Sequence, residues 1–244
     1  MTFQSSAILR EIVEQVPLSI RLFEEMGIDY CCGGNKSLAE ACCQAGIPVE
    51  LALQRLSELN DRIGDPDLTS WHEAPLSELI EHIVQTHHKY VRSEIPRLES
   101  LLEKVTERHG KMHPELMTMK LVFRFVGEDM LSHMDKEEQI LFPYIARLEQ
   151  ASRESSLPPP APFGSVARPV ECMMREHTKA GEETQQIREL SNGFTLPDGA
   201  CASFRALYDG LREFEQDLHR HVYLENNILF PRAIEVERKA CTLA

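Results

Sequence analysis

The sequence predicts an all-α protein, an up-down-up-down four-helix bundle preceded by a small helical module. Three observations carry that expectation. Apolar residues recur with a period near 3.6 through four long stretches between residues 75 and 240. No β-branched, alternating segment competes with them. Short or proline-rich connections separate the stretches, so neighbours in sequence must fold back as antiparallel neighbours in space.

The elements follow in order. "SAILREIVEQVP", "LSIRLFEEMGI", "SLAEACCQAG" and "PVELALQRLSELNDRI" give four short helices, interrupted at Pro17, at "DYCCGGN" and before Pro48. They form a small domain over 1–62. Such a module buries little core and must lean on the bundle or on a second copy of itself, so a homodimer is one expected arrangement. Residues 63–75 are a linker and 76–244 the bundle. After Pro75, apolar residues at 76, 79, 80, 83, 84, 91, 95, 98, 101, 102 and 105 define the first long helix. Residues 116–150 continue likewise as the second. "SRESSLPPPAPFGS" (152–165) cannot be helix or inner strand. Residues 167–193 form the third helix, stopped by Asn-Gly, and 201–240 the fourth.

Composition bounds the function. Hydrophobic residues make up 42% and charged residues 27% of 244, enough for a buried core. A net charge of −13 with no basic block argues against nucleic acid as a partner. No apolar run is long enough for a membrane helix, and no membrane association is expected. The N-terminus lacks a basic region followed by an apolar one, and seven cysteines without an export signal fit a reducing compartment, so a cytoplasmic protein is expected.

The chemistry lies in a repeat. "HMDKEEQILFP" (133–143) returns 88 residues later as "HVYLENNILFP" (221–231). Both read His-x3-Glu-x2-Ile-Leu-Phe-Pro. On a helix, positions i and i+4 share a face, so His133 with Glu137, and His221 with Glu225, can each grip a metal. The apolar sequel turns that face inward, where buried charges need a partner and a metal is the natural one. Imidazole with carboxylate suits iron, manganese or zinc and disfavours Cu(I). If a hairpin was duplicated, first-helix groups should match too: His177 precedes His221 by 44 residues, and His88 precedes His133 by 45. Four histidines and two glutamates exceed one tetrahedral zinc, whereas two metals bridged by the two carboxylates use them all. Periodicity does not decide between His87 and His88, although the hairpin offset favours His88. His82 is a third candidate on that helix. His72, His109, His113 and His219 read as solvated or capping residues. Ferritin-type Glu-x-x-His pairs are absent from these helices.

At these residues the chain resembles a known family. The histidine-bearing hairpins are similar to the hemerythrin-like domain. With "MGIDYCCGGNKSLAEAC" ahead of them, and with "HKYVRSEIPRL", "SHMDKEEQILFP", "EHTKAG" and "HVYLENNILFPRA", they resemble the di-iron proteins for repair of iron centres over nearly the whole chain. The resemblance implies a non-haem centre of two iron ions on His88, His133, Glu137, His177, His221 and Glu225, with both glutamates bridging. It selects His88 by its place eight residues before Pro96. It implies repair of iron–sulfur proteins damaged by nitric oxide or oxidants, through supply of iron. Reduction of NO or O2, or sensing of either, at the same centre is the alternative. Two positions depart from relatives. Met173 stands where oxygen carriers have a further histidine, and Asp129 replaces a glutamate four residues before His133. Asp129 is expected either to support His133 or to be solvated. Glu176 matches an acidic residue near the site.

In "DYCCGGNKS", a lasting disulfide between adjacent Cys31 and Cys32 would be strained. A thiol that binds, passes on or senses iron or a redox partner is expected there. Cys42 and Cys43 join it or belong to the core, and Cys172, Cys201 and Cys241 read as core or incidental.

Overall fold

The computed structural model describes residues 3–16, 18–31, 33–59 and 71–242. Pro17, Cys32, most of the 63–75 linker and the side chain of Cys241 lie outside the described residues. Four short helices open the chain: α1 (Leu9–Gln15), α2 (Ser19–Met26), α3 (Leu38–Ala45) and α4 (Val49–Leu59). Four long ones follow. Helix α5 joins Leu76–His82, Ile83–His88 and Lys89–His109; α6 joins Glu115–Lys136, Glu137–Leu141 and Phe142–Arg153. Helix α7 is Ala167–Leu190, and α8 joins Ala202–Tyr223, Leu224–Leu229 and Phe230–Thr242. Among the described residues there is no strand, only one isolated bridge between Ile8 and Ser37. The long helices pack as a closed ring, α5 on α6, α6 on α7, α7 on α8 and α8 on α5.

The starts of these helices are held from afar. Glu149 accepts hydrogen bonds from the Leu76 and Ser77 amides at 2.7 and 3.0 Å, supplying the cap that Pro75 cannot. Buried Glu237 accepts from Tyr144 Oη, Ser165 Oγ and the Val166 amide at 2.8, 2.6 and 2.9 Å, which fixes where α7 begins after the proline-rich connection. Away from the histidines the core is mostly apolar, with Phe123 edge-on to Phe214 at 5.3 Å. Gly210 lets α8 approach α5, since a Cβ there would sit 2.7 Å from Leu98 Cδ2.

The middle segments of α5, α6 and α8 are single π-helical turns, a feature the 3.6-residue periodicity does not predict. In α6 and α8 the cause is visible. The residue after each turn precedes proline, and Phe142 and Phe230 donate their amides five residues back, to the carbonyls of Glu137 and Glu225. In α5 the widened turn puts His87 and His88 both in the interior, at 5% and 1% exposure, which is why neither apolar stripe excluded the other.

The small module rests on α8. Arg220 makes a two-pronged ion pair with buried Glu24 at 3.0 and 2.9 Å, and Tyr30 donates its hydroxyl to the same carboxylate at 3.1 Å. Tyr30 also packs on Tyr223 with centroids 5.8 Å apart. Asn227 donates its amide to the Cys31 carbonyl at 3.3 Å, and Gly34 lies so close that a Cβ would be 2.7 Å from Asn227 Oδ1.

Candidate metal centre

Six side chains meet at one buried point, none more than 1% exposed. Each of the four long helices contributes: His88 from α5, His133 and Glu137 from α6, His177 from α7, His221 and Glu225 from α8. All four imidazoles turn Nε2 inward. His88 Nε2 and His221 Nε2 are 3.1 Å apart, and His133 Nε2 and His177 Nε2 are 2.9 Å apart. Glu225 lies 3.0 Å from both His221 Nε2 and His177 Nε2 through its two oxygens. Glu137 Oε2 lies 3.3 Å from His133 Nε2 and 3.4 Å from His88 Nε2.

Two quartets result, His88–Glu137–His221–Glu225 and His133–Glu137–His177–Glu225, the donor atoms of each within 4.8 Å of one another. Both carboxylates belong to both quartets, as bridging groups would. The set fits two cations well. Both Glu137 oxygens are buried with no aligned hydrogen-bond partner, and pairs of ring nitrogens face each other across a space where a metal ion would accept their lone pairs.

The outward ring nitrogens show how the imidazoles are aimed. His88 Nδ1 meets Glu138 Oε1 at 2.8 Å, and Arg92 braces that carboxylate at 3.1 Å. His133 Nδ1 meets Glu176 Oε2 at 2.9 Å, with Lys136 on the other oxygen at 2.6 Å. His177 Nδ1 meets Asn226 Oδ1 at 2.9 Å. Such outer partners fix the tautomer and raise ligand basicity. Glu138 and Asn226 escaped the sequence reading although a signal existed, since each directly follows its repeat glutamate. Glu176, an ambiguous acid in the sequence, is the one that supports His133. Asp129 pairs with Lys179 instead, half exposed, so the solvated alternative holds for it.

Without a cation, the two carboxylates favour protons on His88 and His133. Burial alone would lower the His88 and His133 imidazoles, but the Glu137 and Glu225 carboxylates raise both to about 10. Burial pushes Glu137 and Glu225 up, and the Glu225 charge adds to this at Glu137, yet the surrounding imidazoles hold both below the usual carboxylate range. Glu176, bonded to His133 and Lys136, falls to about 2. A histidine raised on folding stabilises fully below its unfolded value of 6.5, and the contribution is lost as pH climbs through about 10. Thermal melts of metal-free protein should therefore fall across that window. Metal loading requires neutral imidazoles and strengthens over the same range. Calorimetric titration at neutral pH in buffers of different ionisation enthalpy should show protons released on loading.

The other candidates lie outside both quartets. His87 is bonded to Asp217 Oδ1 at 2.9 Å, and His82 stacks on Trp71 at 4.6 Å. His109 and His113 are not simply solvated but pack edge-on against Phe204 at 5.4 and 5.5 Å. His219 likewise leans on Tyr30 at 6.0 Å. Cys42 is core, its thiol raised by burial, and Cys43 is exposed. Cys201 stands at the N-terminal boundary of α8, where backbone amides, first that of Phe204, lower its thiol, and His109 Nε2 is 3.3 Å away. Cys31 is buried with Sγ 3.2 Å from Asp29 Oδ1. It borders a cavity of about 560 Å³ between the small module and the bundle, lined also by Lys36, Gln185, Arg188 and His219. A second pocket, of about 190 Å³, is lined by His133, Glu176, Lys136 and Asp129.

Paired His/Glu quartets in a four-helix bundle define a hemerythrin-type cation-binding protein, and residues 79–233 match the family model described as Hemerythrin HHE cation binding domain. Residues 5–60 match ScdA_N, Domain of Unknown function (DUF542). The chain is 33% identical over 229 residues to the Iron-sulfur cluster repair protein YtfE of Pectobacterium atrosepticum, covering 94% of this chain and 97% of that protein. It is 35% identical over 230 residues to the protein of that name in Escherichia coli, with the same coverage of each. Against the Probable iron-sulfur cluster repair protein of Haemophilus influenzae it is 33% identical over 226 residues, 93% and 96% of the two chains. The chain belongs to this family of hemerythrin-like iron–sulfur cluster repair proteins.

Proposed function

We propose that the protein repairs iron–sulfur clusters damaged by nitric oxide or oxidants, and that it does so by supplying iron. The observation that carries this reading is the centre itself, two buried quartets sharing Glu137 and Glu225, in a chain whose relatives along nearly its whole length are named for that repair. His88, His133, Glu137, His177, His221 and Glu225 would hold two irons, with the carboxylates as bridges. When bound, the pair supplies ferrous iron as cargo. The chain's own part is to aim four imidazoles, to exclude water, and to take back protons as iron leaves. Residues 1–62 act as a docking and thiol domain, 63–75 as linker and 76–244 as the iron-holding domain. Cys31, which borders the cavity, and Cys32 would receive or pass on iron. Iron–sulfur proteins are the clients and the cytoplasm the working compartment; a homodimer would alter neither role.

The test is transfer. Protein loaded with 57Fe is incubated with an iron–sulfur enzyme inactivated by nitric oxide, and the enzyme's regained activity and 57Fe content are followed. Labelled iron in the recovered enzyme is the expected result. Recovery without label, or no recovery, overturns delivery. The double change C31S/C32S should leave iron content unchanged and reduce transfer sharply. The pocket beside His133 favours one rival, in which a diatomic such as NO or O2 enters there to be reduced or sensed. Multiple turnovers with an added electron donor would establish reduction.

A further inference from the structure

The duplication that built the centre left one imidazole without support. Glu138 and Asn226 occupy equivalent places, each one residue after its repeat glutamate, and support His88 and His177 respectively. Glu176, one residue before His177, supports His133. The equivalent of Glu176 in the other hairpin is the residue one before His88, and that residue is His87. His87 does not take up the role. It gives its Nδ1 to Asp217 and lies parallel to His221, with centroids 5.7 Å apart and planes inclined by 5°. His221 Nδ1 is left fully buried with no hydrogen-bond partner.

We infer that the two metal positions are unequal and that the one between His88 and His221 is the weaker, exchangeable position. The His133–His177 quartet has both imidazoles supported, one by a carboxylate and one by an amide, whereas the other has a single support. Removing an outer partner of a metal-bound histidine typically lowers affinity by about 10–100-fold, and the two positions should differ by about that factor. That the metal leaving first is also the one delivered rests on the repair reading; the inequality does not.

Competition of two-metal protein against a series of chelators, followed by metal analysis, should show two steps separated by about 10–100-fold in affinity. Anomalous scattering from crystals of half-depleted protein should place the remaining metal between His133 and His177. Asn226→Ala, which strips His177 of its partner, should draw the steps together, and Asn226→Asp should separate them again. His87→Glu, which supplies the missing acceptor, should tighten the weak position and merge the steps from the other side. A single step in the unaltered protein overturns the inference. So does a remaining metal between His88 and His221, the result expected if the pocket beside His133 governs exit. The map needs no variant, so misfolding of any substituted protein leaves the inference exposed to it. Should the inequality hold while 57Fe transfer fails, the repair reading alone falls.

Discussion

Replacing Glu225 with glutamine should strip both metals from the protein. Its two oxygens lie 3.0 Å from His221 Nε2 and 3.0 Å from His177 Nε2, so one side chain serves both quartets. Glutamine keeps the size but offers one neutral acceptor, and neither position retains its charge or its bridge. The loss should exceed the about 10–100-fold expected for an outer residue such as Glu138, so the two substitutions make a graded pair. Iron analysis and Mössbauer spectra would measure it, with magnetic coupling vanishing in E225Q and surviving in E138Q. Two coupled irons in E225Q would remove Glu225 from the centre. The E225Q protein should also melt lower than the loaded wild type, since metal binds only the folded state.

The second large effect is expected away from the metals. Arg220→Ala should destabilise the protein by about 2–3 kcal/mol, because it leaves the Glu24 carboxylate buried and without its cation. The arginine side chain is 43% exposed, so screening reduces what the ion pair itself contributes, and the penalty comes mainly from the stranded carboxylate. Tyr30 can still donate one hydrogen bond to it. Urea denaturation would read the change, and Glu24→Gln in the same background should recover part of it. No loss in the single variant would mean that Glu24 regains water when Arg220 is gone.

Much of this was legible in the residues. The His-x3-Glu repeat and the hairpin offset led to the six side chains that the fold brings together, because i,i+4 spacing and an apolar sequel translate directly into one inward face. What escaped has identifiable causes. Periodicity could not separate His87 from His88 because a π-turn buries both, and such a turn depends on carbonyl–amide pairings that no apolar pattern records. The roles of Glu138, Glu176 and Asn226 depend on neighbouring helices, since a charge next to a ligand looks the same whether it faces water or a ring nitrogen. In the sequence His109, His113 and His219 look like solvated or capping residues because their aromatic partners, Phe204 and Tyr30, are distant in the chain or on another module. The docking of Asn227 on the Cys31 carbonyl spans 196 residues and left no local trace.

Each quartet takes two groups from residues 76–153 and two from residues 167–242. A cation held by either quartet would thus be a clasp between two half-molecules rather than an ornament within one. The segment that joins the halves, 154–166, is proline-rich and largely exposed, and carries none of the six groups. A protease cut there would leave a loaded protein in one piece, held at its centre by coordination. The same cut in the emptied protein would leave apolar packing and a few polar links, such as Tyr144 to Glu237 and His133 to Glu176, to keep the halves together. Surrender of iron would therefore loosen the whole bundle along its duplication seam.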